Sequence, residues 1–250
     1  MERGGLSHGF KTKIGRAGII ACPAFERDGF PTRMTGGLNY AISPSNNNII
    51  SFTSTVLSMI RSPQNAWRIF AGQFYFNEQM GHGFLQAMSR FTRENLQTMI
   101  GYNFTQFRNL GGVDRVDYWG GATFATNELH KEYQGVTLGN VINIYLPGKI
   151  DMPFREWVLK NERMYLHEYG HTFQSQLYGA SYLLLIGLPS LRSAYNNRKI
   201  TGDPLGAYSH DRFVPEVWAN IWADRYFSKY YDYDWQENWG GLCYPLDWNY

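Results

Sequence analysis

ERMYLHEYGHTFQSQLYG, residues 162–179, is the stretch on which the reading of this chain turns. Its spacing predicts a helix from about Glu162 to Tyr178, stopped by Gly179. On such a helix His167 and His171, four residues apart, lie on one face and can grip a single metal ion. Glu168 projects sideways from that pair, toward a water bound to the ion. Zinc lowers the pKa of such a water to about 7, and a carboxylate beside it can take the proton during attack on a carbonyl. Gly170 costs a helix about 1 kcal/mol relative to alanine. Two reasons for it stay open: it keeps a side chain away from the metal or substrate, or it lets another element pack close.

Two histidines leave a catalytic zinc site one protein ligand short. The next turn of the helix does not supply it, because Gln174 and Leu177 stand where a metzincin carries Gly and His. A distant acid is the other common solution, and Glu216 is the candidate. A second helix is expected from Pro215, suited to a first helical position, to about Tyr230. Along it Glu216, Ala219, Asn220, Ala223 and Phe227 form one stripe. A carboxylate on so small and apolar a face is costly to bury unless it is paired or bound to metal. The competing reading is an N-terminal Glu that complements the helix dipole. Asn220 is placed to accept a hydrogen bond from the ring N–H of a ligand histidine. Asp224 is a reserve ligand or acidic neighbour. His210 is the candidate donor to a developing oxyanion, against the alternative of a solvated surface residue in the polar run 209–212. His8, His82 and His130 have no spaced partners and read as structural or surface.

The remaining sequence sets limits. With 250 residues, 44% hydrophobic and 17% aromatic, the chain can bury a real core. A net charge of +2, from 23 basic and 21 acidic residues, gives no electrostatic case for nucleic acid. The longest apolar run, Ala180 to Leu188, is about half the roughly 20 residues of a membrane-spanning helix. Cys22 and Cys243 define neither a disulfide framework nor a metal site. The basic N-terminus lacks an apolar segment after it, so no secretory signal is expected. The chain is then cytoplasmic or delivered as part of a larger carrier.

Residues 1–60 read as a Gly/Asn-rich linker or the remnant of an upstream module, and residues 61–250 as the domain. Helical spacing runs from Ala66 to Leu110, with Gly81, Gly83 and Gly101 as expected breaks. Val116 to Phe124 and Val136 to Tyr145, punctuated by Gly120-Gly121, read as antiparallel strands. The class is α+β.

At His167–His171 and Glu216 the pattern resembles the gluzincin metallopeptidases, with Pro215 and Asn220 where that group carries Asn and an acid. A closer resemblance is to the C-terminal modules of Rhs-type, YD-repeat polymorphic-toxin proteins. It rests on Gly120–Thr123, Gly135–Asn140, His167–Gln176 with Gly179, Tyr182–Leu191, and Glu216 with Ala219-Asn220 and Tyr226-Phe227, within about residues 84–246. The Glu-x-x-Ala-Asn segment recurs at this place in that family. The resemblance implies a zincin-like α+β fold, an antiparallel sheet with an active-site helix and a downstream Glu-bearing helix. It also implies Zn2+ held by His167, His171 and Glu216, with Glu168 as general base and His210 assisting. The substrate would be a peptide or protein, and the partners a carrier chain and an immunity protein. The alternative is a non-catalytic module of the same kind of protein, in which zinc only stabilises the fold. Val136–Tyr145 is either the edge strand that binds an extended substrate or an interior strand. Tyr182–Leu191 is expected in the buried core, ahead of a cleft wall or a lipid contact.

Overall fold

The hydrogen-bonding strands of this chain form a four-stranded sheet covered on both faces by helices, in a computed structural model that describes residues 49–201, 210 and 213–234. Four helices come first: α1 (Ile49–Arg61), α2 (Pro63–Ala71), α3 (Met80–Phe91) and α4 (Asn95–Gly111). Ser62 caps α2 by accepting from the Asn65 N–H, and Pro63 opens it where a missing N–H costs nothing. Then come β1 (Arg115–Trp119), β2 (Ala122–Asn127), β3 (Gln134–Leu138) and β4 (Val141–Tyr145). The helices α5 (Phe154–Asn161), α6 (Arg163–Tyr178), α7 (Leu188–Thr201) and α8 (Val214–Tyr231) complete the α-helices among the described residues.

The α+β class holds, but the sheet is mixed and not antiparallel. Its order is β1-β2-β4-β3, and β2 runs parallel to β4 with Phe124 opposite Ile142. The two local pairs, β1–β2 and β3–β4, are antiparallel hairpins turned at Gly120-Gly121 and Gly139-Asn140. Alternation along the strands sends Phe124, Ile142 and Ile144 to one face, where they meet Phe154, Trp157, Tyr165, Tyr169 and Phe227. Val116 and Ala125 face the other way, onto Ile69, Phe70 and Tyr102.

Three further expectations change. α1 lies inside the stretch read as linker and packs along α4; residues 1–48 lie outside the described residues. Its buried positions are Ser51, Ser54, Thr55 and Ser58, so the apolar inward stripe that marks a helix is absent there. Gly101 does not break α4 but sits in its middle. A Cβ there would come within 2.2 Å of the Leu138 carbonyl oxygen, so the glycine lets α4 back directly onto β3. Finally, the 136–145 segment is a hairpin in which β3 is the sheet edge and β4 is interior.

Candidate metal centre

Glycine 170 explains how the two predicted helices come to share a site. α6 and α8 cross so closely there that a Cβ would lie 2.0 Å from the Ala219 carbonyl oxygen and 3.0 Å from its Cα. Both of these are backbone atoms and cannot yield, so the packing reason holds for this glycine. The contact of backbone on backbone brings the first turn of α8 over the histidine face of α6.

Three atoms meet at that crossing. His167 Nε2 lies 3.1 Å from Glu216 Oε2, His171 Nε2 lies 3.2 Å from the same oxygen, and the two nitrogens are 3.2 Å apart. Ligands held at about 2.0–2.1 Å from a tetrahedral zinc are separated by about 3.3–3.4 Å. The triangle is within a few tenths of an ångström of that spacing. The ring orientations point the same way. His167 Nδ1 lies 2.7 Å from Asn220 Oδ1, and His171 Nδ1 lies 2.7 Å from Gln174 Oε1. The Gln174 amide is itself oriented, because its nitrogen donates to the Pro215 carbonyl. Both rings therefore donate from Nδ1 and turn the Nε2 lone pair toward Glu216. Ser190 on α7 donates to Glu216 Oε1, leaving Oε2 for the triangle.

Three lone-pair atoms so close repel one another unless a cation lies among them, either a proton or a metal ion. Burial alone would drive the His171 imidazolium pKa down, but the adjacent Glu216 charge and hydrogen bond outweigh it and push the group up to about 9. Burial likewise opposes the Glu216 carboxylate, and His171 and His167 overcome it and hold the carboxyl well below its ordinary range. His171 and Glu216 are buried, whereas the His167 side chain is 22% exposed and is the open side of the group. His167, His171 and Glu216 are thus a group able to bind a metal ion.

Glu168 is buried on the neighbouring flank of α6, against β3. Thr137 Oγ1 donates to its carboxylate, and a Cβ at Gly135 would lie 2.2 Å from Glu168 Oε1. Tyr182 closes the same corner, its hydroxyl donating to the Thr137 carbonyl at 3.3 Å. His210 stands on the other flank, Nε2 4.0 Å from Glu216 Oε2, and its buried Nδ1 has no partner among the described residues. Asp224 takes no part: it accepts from Ser228 one turn on, away from the triangle. His82 reaches the Tyr230 hydroxyl at 3.0 Å, and His130 lies against Tyr145; His8 is outside the described residues.

The orienting residues Gln174, Thr137, Gly135 and Ser190 were not singled out as site residues from sequence. Only Gln174 carried a local signal, three residues after His171. Tyr182–Leu191 departs from the expected core segment. Tyr182 and Ile186 are buried, but Leu184, Leu185, Leu188 and Leu191 are all more than half exposed, because the segment covers the site with one side only. A cleft of about 500 Å³ lies behind α6, lined by Phe173, Gln176, Trp222 and Arg225 among others, and shares no residue with the triangle. No protein-family model, curated protein or solved structure matches this chain.

Proposed function

We propose that this protein is a zinc-dependent peptidase of gluzincin-like, zincin-type architecture. The observation that carries the reading is the donor triangle of 3.1–3.2 Å edges with both ring N–H groups turned away from it. Two imidazoles and one carboxylate are a common ligand set for catalytic zinc. His167, His171 and Glu216 would hold the ion, which supplies Lewis acidity toward a carbonyl and acidifies the attacking water. Asn220 and Gln174 keep the imidazoles in the binding tautomer, and Ser190 holds the spare Glu216 oxygen. Glu168 takes the proton of the attacking water and delivers it to the leaving amine; Thr137 orients its carboxylate. His210 donates to the oxygen that gains charge on the carbonyl. The edge strand β3, beside Glu168, is where an extended peptide would add to the sheet. The resemblance in sequence to Rhs-type modules supports a toxin role within a larger carrier, with an immunity protein as partner.

The burial of Glu168, and its hydrogen bond to Thr137, favour a second reading in which the ion only stabilises the fold. One pair of variants separates the two. Glu168→Gln should keep about one zinc per chain while peptide hydrolysis falls by about 10²–10⁴-fold. Glu216→Gln should lose zinc first, with activity partly restored at high zinc. A protein that binds zinc, is stabilised by it and hydrolyses no peptide in a diverse library is the structural module. A protein that binds no divalent metal under non-chelating conditions has neither function.

A further inference from the structure

Helices α1 and α4 are inside out compared with helices that face water. α1 buries Ser51, Ser54, Thr55 and Ser58 and exposes Ile50, Phe52, Val56, Leu57 and Ile60. α4 buries Gln97, Thr98, Thr105, Gln106 and Asn109 beside one core aromatic, Tyr102, and exposes Leu96, Ile100, Phe104, Phe107 and Leu110. A surface helix in water turns its apolar stripe toward the core. Scattered exposed hydrophobics need no explanation, but two complete stripes do.

The contact between the two helices is equally unusual. Ser54 Oγ donates to Asn103 Oδ1 at 2.9 Å, Asn103 Nδ2 donates to Ser51 Oγ at 3.0 Å, and Asn109 Nδ2 donates to Ser58 Oγ at 2.7 Å. Small hydroxyl residues joined by amide hydrogen bonds are how helices associate when the surrounding solvent is hydrocarbon. Ile100, Phe104 and Phe107 run along α4 beside Asn103, the residue that reaches α1. The exposed stripe of α4 therefore borders this seam.

Charge selects the solvent. Residues 49–111 contain Arg61, Arg68, Arg90, Arg93 and Arg108 but only two acids, Glu78 and Glu94, and Glu94 is buried. None of α1 to α4 carries an acidic residue. Arg90 is buried as well, its guanidinium donating to backbone carbonyls. Arg61 at the end of α1 and Arg108 beside Phe104 are then the cations of this face. An apolar face with cations and no acid on its own helices matches anionic headgroups above acyl chains. At about 1.5 Å per residue, the 13 residues of α1 reach about 20 Å, short of a roughly 30 Å hydrocarbon core. No helix among the described residues is long and apolar enough to cross a membrane. A pair of this kind lies in the plane of the interface.

We propose that the outward face of α1 and α4 is a membrane-binding surface that seats this protein on an anionic lipid bilayer. The surface is separate from the metal triangle and does not depend on its occupancy.

The test is flotation of the full chain with vesicles of phosphatidylcholine containing roughly one quarter phosphatidylglycerol, beside vesicles of phosphatidylcholine alone. The protein should float with the anionic vesicles, less with the neutral ones, and less as salt rises. Phe104→Glu with Phe107→Glu should lower the partition coefficient about 10-fold or more, and Ile60→Glu on α1 should lower it independently. All three positions are exposed, so circular dichroism and Tm should be unchanged. Zinc chelation should leave flotation unaltered. Absence of flotation, or equal flotation of the folded variants, overturns the proposal. So does a dimer that these substitutions dissociate without any vesicle binding, because the face would then join two copies of the chain.

Discussion

The two faces of the sheet are built on opposite rules. On the α5–α6–α8 side, aromatic rings fill the interior, and two histidines and a carboxylate among the buried polar groups converge on one point, the His167–His171–Glu216 triangle. On the other side, α1 and α4 turn mainly serines, threonines and amides toward each other and the sheet, with Tyr102 joining Ile69 and Phe70 of α2 in the core, and their large aliphatic and phenylalanine side chains face outward. The first arrangement places its buried polarity where a cation would repay the desolvation. The second spreads buried polarity along a whole helix contact, with each hydrogen bond replacing one that water would offer. The function proposed for the first side would depend on the spacing of three atoms, and that proposed for the second side on the character of a surface.

The largest contrast is expected from equivalent truncations. Phe227 is fully buried, with its ring centroid 4.8 Å from that of Trp119 and 5.2 Å from that of Tyr169. Phe227→Ala should cost about 3–5 kcal/mol in urea denaturation. Phe107→Ala, at an exposed position of α4, should change stability by no more than about 0.5 kcal/mol. Comparable losses at the two positions would erase the distinction. Next in size is Gly170→Ala. The new methyl meets backbone, so α6 and α8 must separate, at roughly 1–3 kcal/mol. Glu216 then moves away from the imidazoles, and zinc affinity, read by competition with a chelator, should fall well beyond what the stability loss explains. A Gly170→Ala protein with unchanged zinc affinity would show that the crossing does not set the triangle.

The same asymmetry decided what could be read from sequence. α6 and α8 were legible because periodicity, a stopping glycine and an opening proline agree, and two histidines four apart with an acid on a small-residue stripe are rare enough to stand out. The β1–β2 hairpin was legible from Gly120-Gly121, whereas 136–145 read as one strand because its turn at Gly139-Asn140 lies within an unbroken run of strand-forming residues. The parallel β2–β4 pair was not, because it joins strands separated by a whole hairpin and leaves no local mark. α1 was hidden because a helix that buries Ser and Thr lacks the expected inward stripe, and Asn46-Asn47-Asn48 just before it reads as loop. Gly101 misled for a related reason: a glycine required by close approach to Leu138 looks in sequence like a break. Ser190 and Thr137 are ordinary polar residues, brought to Glu216 and Glu168 only by the fold.

A third prediction probes the polar seam itself. Asn109 Nδ2 donates to Ser58 Oγ at 2.7 Å, with the Ser58 and Ser62 carbonyls at 3.4 and 3.3 Å. The two carbonyls also accept from the Ser62 and Ala66 N–H groups, so Asn109→Ala removes a donor chiefly from the buried Ser58 Oγ and should cost about 1–2 kcal/mol. Asn109→Leu combined with Ser58→Ala removes both partners and should recover most of that loss. If the double variant is no better than the single one, the seam depends on shape and not on paired polarity.

The smallest expected effect concerns Glu94, the buried acid just before α4. Burial raises its pKa most; the Arg90 charge, the nearby Ser89 and Ser175 hydroxyls, and Arg93 pull it back only in part, to about 7. The folded value thus lies above the ordinary carboxyl value of 4.5. Between those two values the folded chain holds a proton that the unfolded chain has released. Its stabilising contribution is therefore complete below about pH 4.5, declines as pH rises toward 7, and is gone above it. Glu94→Gln cannot lose that proton, and Ser89 and Ser175 are at hand to accept from its amide. The variant should gain about 1 kcal/mol over the native chain near pH 8 and nothing near pH 4. Taking the difference between the two Tm–pH curves, with a chelator present throughout, cancels the titration of His171 and Glu216. Parallel curves would mean that Arg90 holds Glu94 as a carboxylate, and that this side of the molecule, like the other, pairs its buried charge.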